Sequence, residues 1–200
     1  MLGMDRYDIN PSEGNILPNK LDLTDQNQIN IEEAAGFLRA ENIAIDALGT
    51  ETRFSTQYLL NLHREALGDL YDFAGKLRNV DMSKDGFHFV TAYALPNALS
   101  DFETKYLTPI NSDQLPEGIS FLDFLAEMHA ELLYIHPFRE GNGRIVRLFT
   151  KLIFLTKMGE TLHFDIINNG DNFERYKTAV QQAAAEEYDL MKKLFREIYS

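Results

Sequence analysis

The chain contains no cysteine. Disulfides, thiolate metal sites and cysteine nucleophiles are therefore excluded, and the absence fits a cytosolic protein. There is no run of about 18 apolar residues, the length that a membrane-spanning helix needs. The first residues, Met1-Leu2-Gly3-Met4-Asp5, have neither the basic start nor the apolar stretch of a secretory signal. Positive charge is scarce: 19 Lys and Arg face 31 Asp and Glu, a net charge of −12. That surplus repels phosphate backbones and anionic membranes at long range, so neither is expected as a direct partner. A nucleotide still fits wherever the few basic residues gather, and the chain is read with that question in mind.

Apolar material is plentiful, at 44% of 200 residues with 14 Phe and 9 Tyr, enough for one buried core. The stretch from Tyr7 to Lys20 is rich in Asn, Pro and Gly and reads as an irregular arm. Residues 1–28 are assigned to this arm and 29–200 to a single domain. Helical spacing predicts a helix from Ile29 to Leu48, with Ile31, Ala35, Leu38, Ile45 and Leu48 facing inward. Ser55 caps a second helix through Leu70. Residues 78–93 alternate apolar and polar around Lys84-Asp85-Gly86, a hairpin signal. Helix resumes after Pro96 to about Leu107, and Thr108 to Gly118 reads as a loop. Ser120 with Asp123 opens a helix to Ile135, and another runs from Gly143 to Met158 and closes at Gly159. Asp171 caps a helix over Phe173 to Ala185, and one more ends the chain. The fold class is mainly α, with one β-hairpin.

The chemistry concentrates in His136-Pro137-Phe138-Arg139-Glu140-Gly141-Asn142-Gly143-Arg144-Ile145-Val146-Arg147. The helix that follows is apolar almost all round, which implies a buried, central helix. Yet Arg144, Arg147 and Lys151 share one of its faces. Buried positive charge needs partners, so an anion is expected over that stripe. Gly141-Asn142-Gly143 opens the helix, where backbone N–H groups and the positive end of the dipole add to an anion cradle. Glu140 offers one carboxylate, which suffices for Mg²⁺ when phosphates supply other ligands. His136 offers a proton acceptor near neutral pH. Cradle, metal carboxylate and base together suit phosphoryl or nucleotidyl transfer.

This segment resembles the signature of the Fic (filamentation-induced-by-cAMP) family, His-x-Phe-x-Asp/Glu-Gly-Asn-Gly-Arg-x-x-Arg, at His136, Phe138, Glu140, Gly141, Asn142, Gly143, Arg144 and Arg147. Phe73-Ala74-Gly75-Lys76-Leu77-Arg78 with the hairpin resembles the family's helix end and flap, and Asn19-Lys20-Leu21 with Asp25 resembles the arm of its short toxin-like members. Asn172 to Tyr176 resembles the stretch that closes over the base. The resemblance implies a helical domain with a central helix-loop-helix active site, whose loop is 136–143. It implies an enzyme that moves AMP from Mg-ATP onto a Ser, Thr or Tyr hydroxyl of a protein. His136 would be the catalytic base and Glu140 the Mg²⁺ ligand. Gly141, Asn142 and Gly143 would hold the α-phosphate, and Arg144 and Arg147 the outer phosphates. Tyr176 is a candidate to stack on adenine. Lys84, Asp85, Gly86, Phe87, His88 and Phe89 would dock an extended segment of the target protein. The family's inhibitory Ser/Thr-x-x-x-Glu-Gly/Asn helix has no counterpart. The nearest match, Thr156 to Glu160, lies too close behind the active site. A separate small antitoxin supplying a Glu to Arg147 is therefore expected.

Two alternatives stand beside this one. A reversed nucleotide in the same site would transfer phosphate, which in the family goes with a shortened motif absent here. An idle nucleotide-binding module would tolerate a degraded motif, whereas His136 and Glu140 are intact. His129 and His136 lack zinc-protease spacing, His63 reads as a core residue, and His88 reads as an exposed strand position.

Overall fold

A computed structural model describes residues 16–168 and 170–199, so the first part of the expected arm, residues 1–15, lies outside the described residues. From residue 16 the arm runs along the end of the second helix. Asn19 closes a local turn with Oδ1 accepting from the Leu23 N–H at 2.9 Å, and Lys20 N–H donates to the Leu70 carbonyl at 2.9 Å. Asp25 then caps helix α1 (Gln26–Asp46) by accepting from Gln28 N–H.

The buried face of α1 is not the one its apolar spacing predicts. Ile29, Glu33, Gly36, Ala40 and Ala44 point inward, while Ile31, Leu38 and Ile45 are exposed. The reason is a close crossing with α2 (Thr56–Leu67). A Cβ placed on Gly36 would stand 2.0 Å from the Ala66 carbonyl oxygen. Small residues allow that approach, and large ones on the same face would prevent it. In α2 local chemistry and pattern agree: Ser55 accepts from Tyr58 N–H at 3.0 Å, and Leu59, Leu62, Ala66 and Leu67 are buried.

The hairpin pairs β1 (Ser83–Lys84) with β2 (Phe87–His88) antiparallel, Ser83 opposite His88 and Lys84 opposite Phe87. Its two turn residues, Asp85 and Gly86, have φ of 51° and 79°. Positive φ at both is the mirror-image turn whose twist suits a tight hairpin. A 3₁₀ turn leads into α3 (Leu95–Phe102), which continues through a π-helical turn at Glu103–Leu107 into α4 (Thr108–Ser112). The predicted loop thus begins as helix, and Pro109 follows directly on the π-helical turn, where the regular hydrogen-bond ladder is already interrupted.

Helix α5 (Phe121–Ile135), capped by Ser120, packs against α3, α6 (Asn142–Met158), α7 (Gly170–Ala183) and α8 (Asp189–Tyr199). Helix α6 also touches α1 and α2. The turn joining α5 to α6 therefore sits where both halves of the fold meet. Among the described residues no helix is long and apolar enough to cross a membrane.

Candidate active site

Helix α5 stops at His136, which adopts the left-handed conformation (φ 53°, ψ 60°). Pro137 follows and cannot continue the helix. The loop ends at Gly141, also left-handed at φ 77°, and α6 begins. A Cβ at Gly141 would press on Leu67 at 3.0 Å and Phe37 at 3.3 Å, so glycine is required here by space as well as by backbone.

Side chains from distant elements tie this loop down. Asn142 is fully buried, with Oδ1 accepting from Phe138 N–H at 2.8 Å and Nδ2 donating to the Phe138 carbonyl at 2.7 Å. Its amide thus staples the loop, and the side chain is not presented to a phosphate as the sequence suggested. His63 of α2 is fully buried and stacks on Phe138 with ring centroids 3.8 Å apart. The Gly75 N–H donates to its Nδ1 at 2.8 Å, so the proton sits on Nε2, which donates to the Glu140 carbonyl at 3.0 Å. The carboxylate of Glu140 accepts from Gly141 N–H at 2.8 Å.

The tautomer of His136 follows by the same logic. Its Nδ1 lies 3.0 Å from the Leu133 carbonyl, which can only accept. Nδ1 therefore carries the proton and Nε2 the lone pair. Burial, with Arg78 and Lys84 adding to it, pulls the imidazole down to about 3 despite the opposing Leu133 hydrogen bond, so the ring is neutral at pH 7. The flap covers it: Phe89 stacks on the ring at 3.8 Å and 21°, and His136 is 4% exposed.

The cationic stripe of α6 is answered largely from within the chain. Arg144 donates to Glu33 of α1 at 2.7 Å, lies 3.4 Å from Glu140, and stands over the Phe37 ring at 4.7 Å. Glu33 is buried and also accepts from the Tyr71 hydroxyl at 2.7 Å. Lys151 pairs with Glu41. Arg144, Arg147 and Lys151 line a cavity of about 350 Å³ roofed by Thr161 to Asp165. The anion expected over the whole stripe is thus partly replaced by two carboxylates of α1, which the one-helix reading of the sequence left out.

Tyr176 is buried, its hydroxyl 2.6 Å from Nε2 of His129, whose Nδ1 meets Thr150 Oγ1 at 2.8 Å. Arg147 is the hydroxyl's other polar neighbour. Its ring packs with His129, so the expected adenine platform has no open face here. In the flap, Asp85, Gly86 and His88 are exposed and Lys84, Phe87 and Phe89 half-buried. The sequence reading missed Glu33, Glu41, the loop contact of His63 and the contacts of Arg78, a residue it quoted only as the end of the family-like stretch from Phe73. All four act on the site across long stretches of chain, and none of these contacts has a local signature.

Residues 53–154 match the Fic/DOC family. The protein adenylyltransferase VbhT of Bartonella schoenbuchensis is 27% identical over 194 residues, which cover 92% of this chain and 37% of that protein. The probable protein adenylyltransferase Fic of Escherichia coli K12 is 28% identical over 190 residues, 92% of this chain and 88% of its own length. This chain therefore spans little more than a third of the Bartonella relative and most of the Escherichia one. The structure of the BepC protein of Bartonella tribocorum with bound AMPPNP has the same fold, with a TM-score of 0.73 at 23% identity over 92% of each chain. The matched stretch takes in the hairpin, α5, the loop and most of α6, half of the sequence, and the chain belongs to the Fic/DOC family.

Proposed function

We propose that this chain is a protein adenylyltransferase, moving AMP from Mg-ATP to a Ser, Thr or Tyr hydroxyl of another protein. The observation that carries the reading is the His136 tautomer, which puts the lone pair on Nε2, the position from which a base takes a hydroxyl proton. In that step the proton passes to Nε2 and the target oxygen bonds to the α-phosphorus. The bond from the α-phosphorus to its bridging oxygen breaks, and pyrophosphate leaves. The N-terminal amides of α6 would face the α-phosphate, and Gly143 leaves room for it, since a Cβ there would meet only Arg147 at 3.5 Å. Arg144 and Arg147 would steady the outer phosphates. The relatives' names, both protein adenylyltransferases, support the same activity.

Glu140 would hold Mg²⁺, which when bound neutralises phosphate charge. Its carboxylate is a hard oxygen donor beside the N-terminus of α6, the donor type this ion takes. Phosphate and water oxygens would complete the shell of this hard ion. The flap would seat an extended segment of the target, and a small antitoxin would place a Glu against Arg147. The protein would then be the toxin of such a pair.

The test uses purified protein, Mg²⁺ and cell lysate, with ATP labelled on the α- or the γ-phosphate, beside His136→Ala. Label passing only from the α-phosphate, and lost in the variant, is the expected result. Transfer only from the γ-phosphate would replace this reading with phosphorylation. Absence of a complex after copurification with the neighbouring gene's product would remove the antitoxin.

A further inference from the structure

Arg78 stands just before the flap, and 4% of it is exposed. Among the described residues it makes no ion pair. Its guanidinium is spent on backbone carbonyls instead. Nε donates to His136 at 2.7 Å, Nη1 to Val80 at 2.7 Å, and Nη2 to Val90 and, at 3.4 Å, to Ile135. Its own N–H donates to the Pro137 carbonyl at 2.9 Å. The acceptors belong to three stretches of chain: residues 135–137, where α5 passes into the catalytic loop, and the two feet of the flap at Val80 and Val90.

Each acceptor has a reason to need a partner. The last carbonyls of a helix have no intrahelical donor. His136 sits in the left-handed region although it is not glycine and precedes proline, which favours extended backbone. Such a strained residue persists only where the surrounding structure over-determines it. Arg78 grips the carbonyl of the His136–Pro137 peptide and the carbonyls of the peptides on either side of it. Val80 and Val90 bracket a two-strand hairpin that is too short to stand alone.

We infer that Arg78 is a positioning residue that locks the flap and the His136 imidazole into one rigid unit, so that a peptide docked on the flap is registered against Nε2. The inference rests on the reading of His136 as base and the hairpin as docking strand. Two further contacts belong to the same unit: the Val90 N–H donates to the Tyr134 carbonyl at 3.4 Å, and the Phe89 ring stacks on His136. The flap therefore holds the histidine by its ring and, through Arg78, by its backbone. A lysine at this position keeps the charge but has a single ammonium and cannot reach four carbonyls in a planar fan.

The experiment compares wild type with Arg78→Lys, and with Leu194→Ala as a core-destabilised control remote from the flap. In Arg78→Lys the ATP Kd measured calorimetrically stays within about twofold, because the nucleotide cradle is untouched. The kcat for α-phosphate label transfer falls on the order of a hundredfold, the cost of a misplaced base. Amide exchange at Phe89 and Val90 quickens, and the upfield ring-current shift of the His136 protons disappears. Leu194→Ala changes neither. Should Arg78→Lys not fold, wild-type native-state exchange decides the matter: the amides of Phe89, Val90 and His136 must open with one common free energy. Unchanged flap exchange and ring shifts in Arg78→Lys, or independent opening of the flap and His136 in wild type, overturns the inference. These readouts need no turnover, so a failure of the adenylyl-transfer reading would appear separately, as label transfer that survives His136→Ala.

Discussion

Three histidines are buried inside this fold, and together they should make it acid-labile well above the pH at which carboxylates protonate. His63 and His129 are fully buried and His136 nearly so. Burial is the main cause in each case, pulling His63 to about 4, His136 to about 3 and His129 well below its ordinary value. In the unfolded chain each returns to about 6.5. A depressed folded value means that the stabilisation is complete above the unfolded value and drains away as pH falls, because only the unfolded chain takes up the protons. At pH 5.5 each unfolded imidazole is about 90% protonated while the folded ones remain neutral, so unfolding binds close to three protons. Integrated from pH 8 down to 5.5, each group costs about 1.4 kcal/mol and the three together about 4 kcal/mol. For a domain whose whole stability is of order 5–15 kcal/mol, that is a large share. Urea unfolding at pH 8, 7, 6.5, 6 and 5.5 should show midpoints falling steeply across the last three. His129→Asn, itself less stable, should show a slope reduced by about one proton. Stability flat to within about 1 kcal/mol from pH 8 to 5.5 would refute the argument and mean that these rings protonate without leaving the fold.

Two further outcomes follow from packing. Gly36→Ala brings a methyl to 2.0 Å from the Ala66 carbonyl, so α1 must retreat from α2. The gain in helix propensity of about 1 kcal/mol is outweighed, and a net loss of about 1–3 kcal/mol, several degrees in Tm by calorimetry, is expected. Asn142→Ala removes both bonds of the loop staple and leaves the buried N–H and C=O of Phe138 unsatisfied. Denaturant unfolding should register a loss of about 2–4 kcal/mol, and an equal or higher stability would show that the loop holds its shape without the side chain.

What the sequence made legible was chemistry confined to short stretches. Ser55 and Ser120 announce helix starts because a cap bonds an amide three residues on. Asp85-Gly86 announces the hairpin because few residues accept two successive positive φ values. The spacing from His136 to Arg147 places an imidazole, a carboxylate and two guanidinium groups around one helix start. Illegible was whatever depends on which surface a helix turns toward another. Beyond Ile29, helix α1 buries glycine, alanine and a glutamate and exposes Ile31, Leu38 and Ile45, since at Gly36 its neighbour's backbone comes too close for a larger side chain. The partners of the site lie far off along the chain: 58 residues separate Arg78 from His136, 77 separate His63 from Glu140, and 111 separate Glu33 from Arg144. No local pattern encodes such pairings, and in each the residue is an ordinary member of its own segment.

The Asn142 staple and the His63 prop have a joint consequence for how this site meets a ligand. The loop is held in shape by the fold itself, so on the proposed function a nucleotide bound there would order little that is not already ordered. The entropy of shaping the site falls on the folding equilibrium, and association is spared it. Nucleotide affinity should then track the contacts made by the bound phosphates, with small backbone movement between empty and filled forms. The same economy carries a liability: a substitution that loosens the loop is felt first as lost fold, and no partly assembled site survives to be rescued by more ligand.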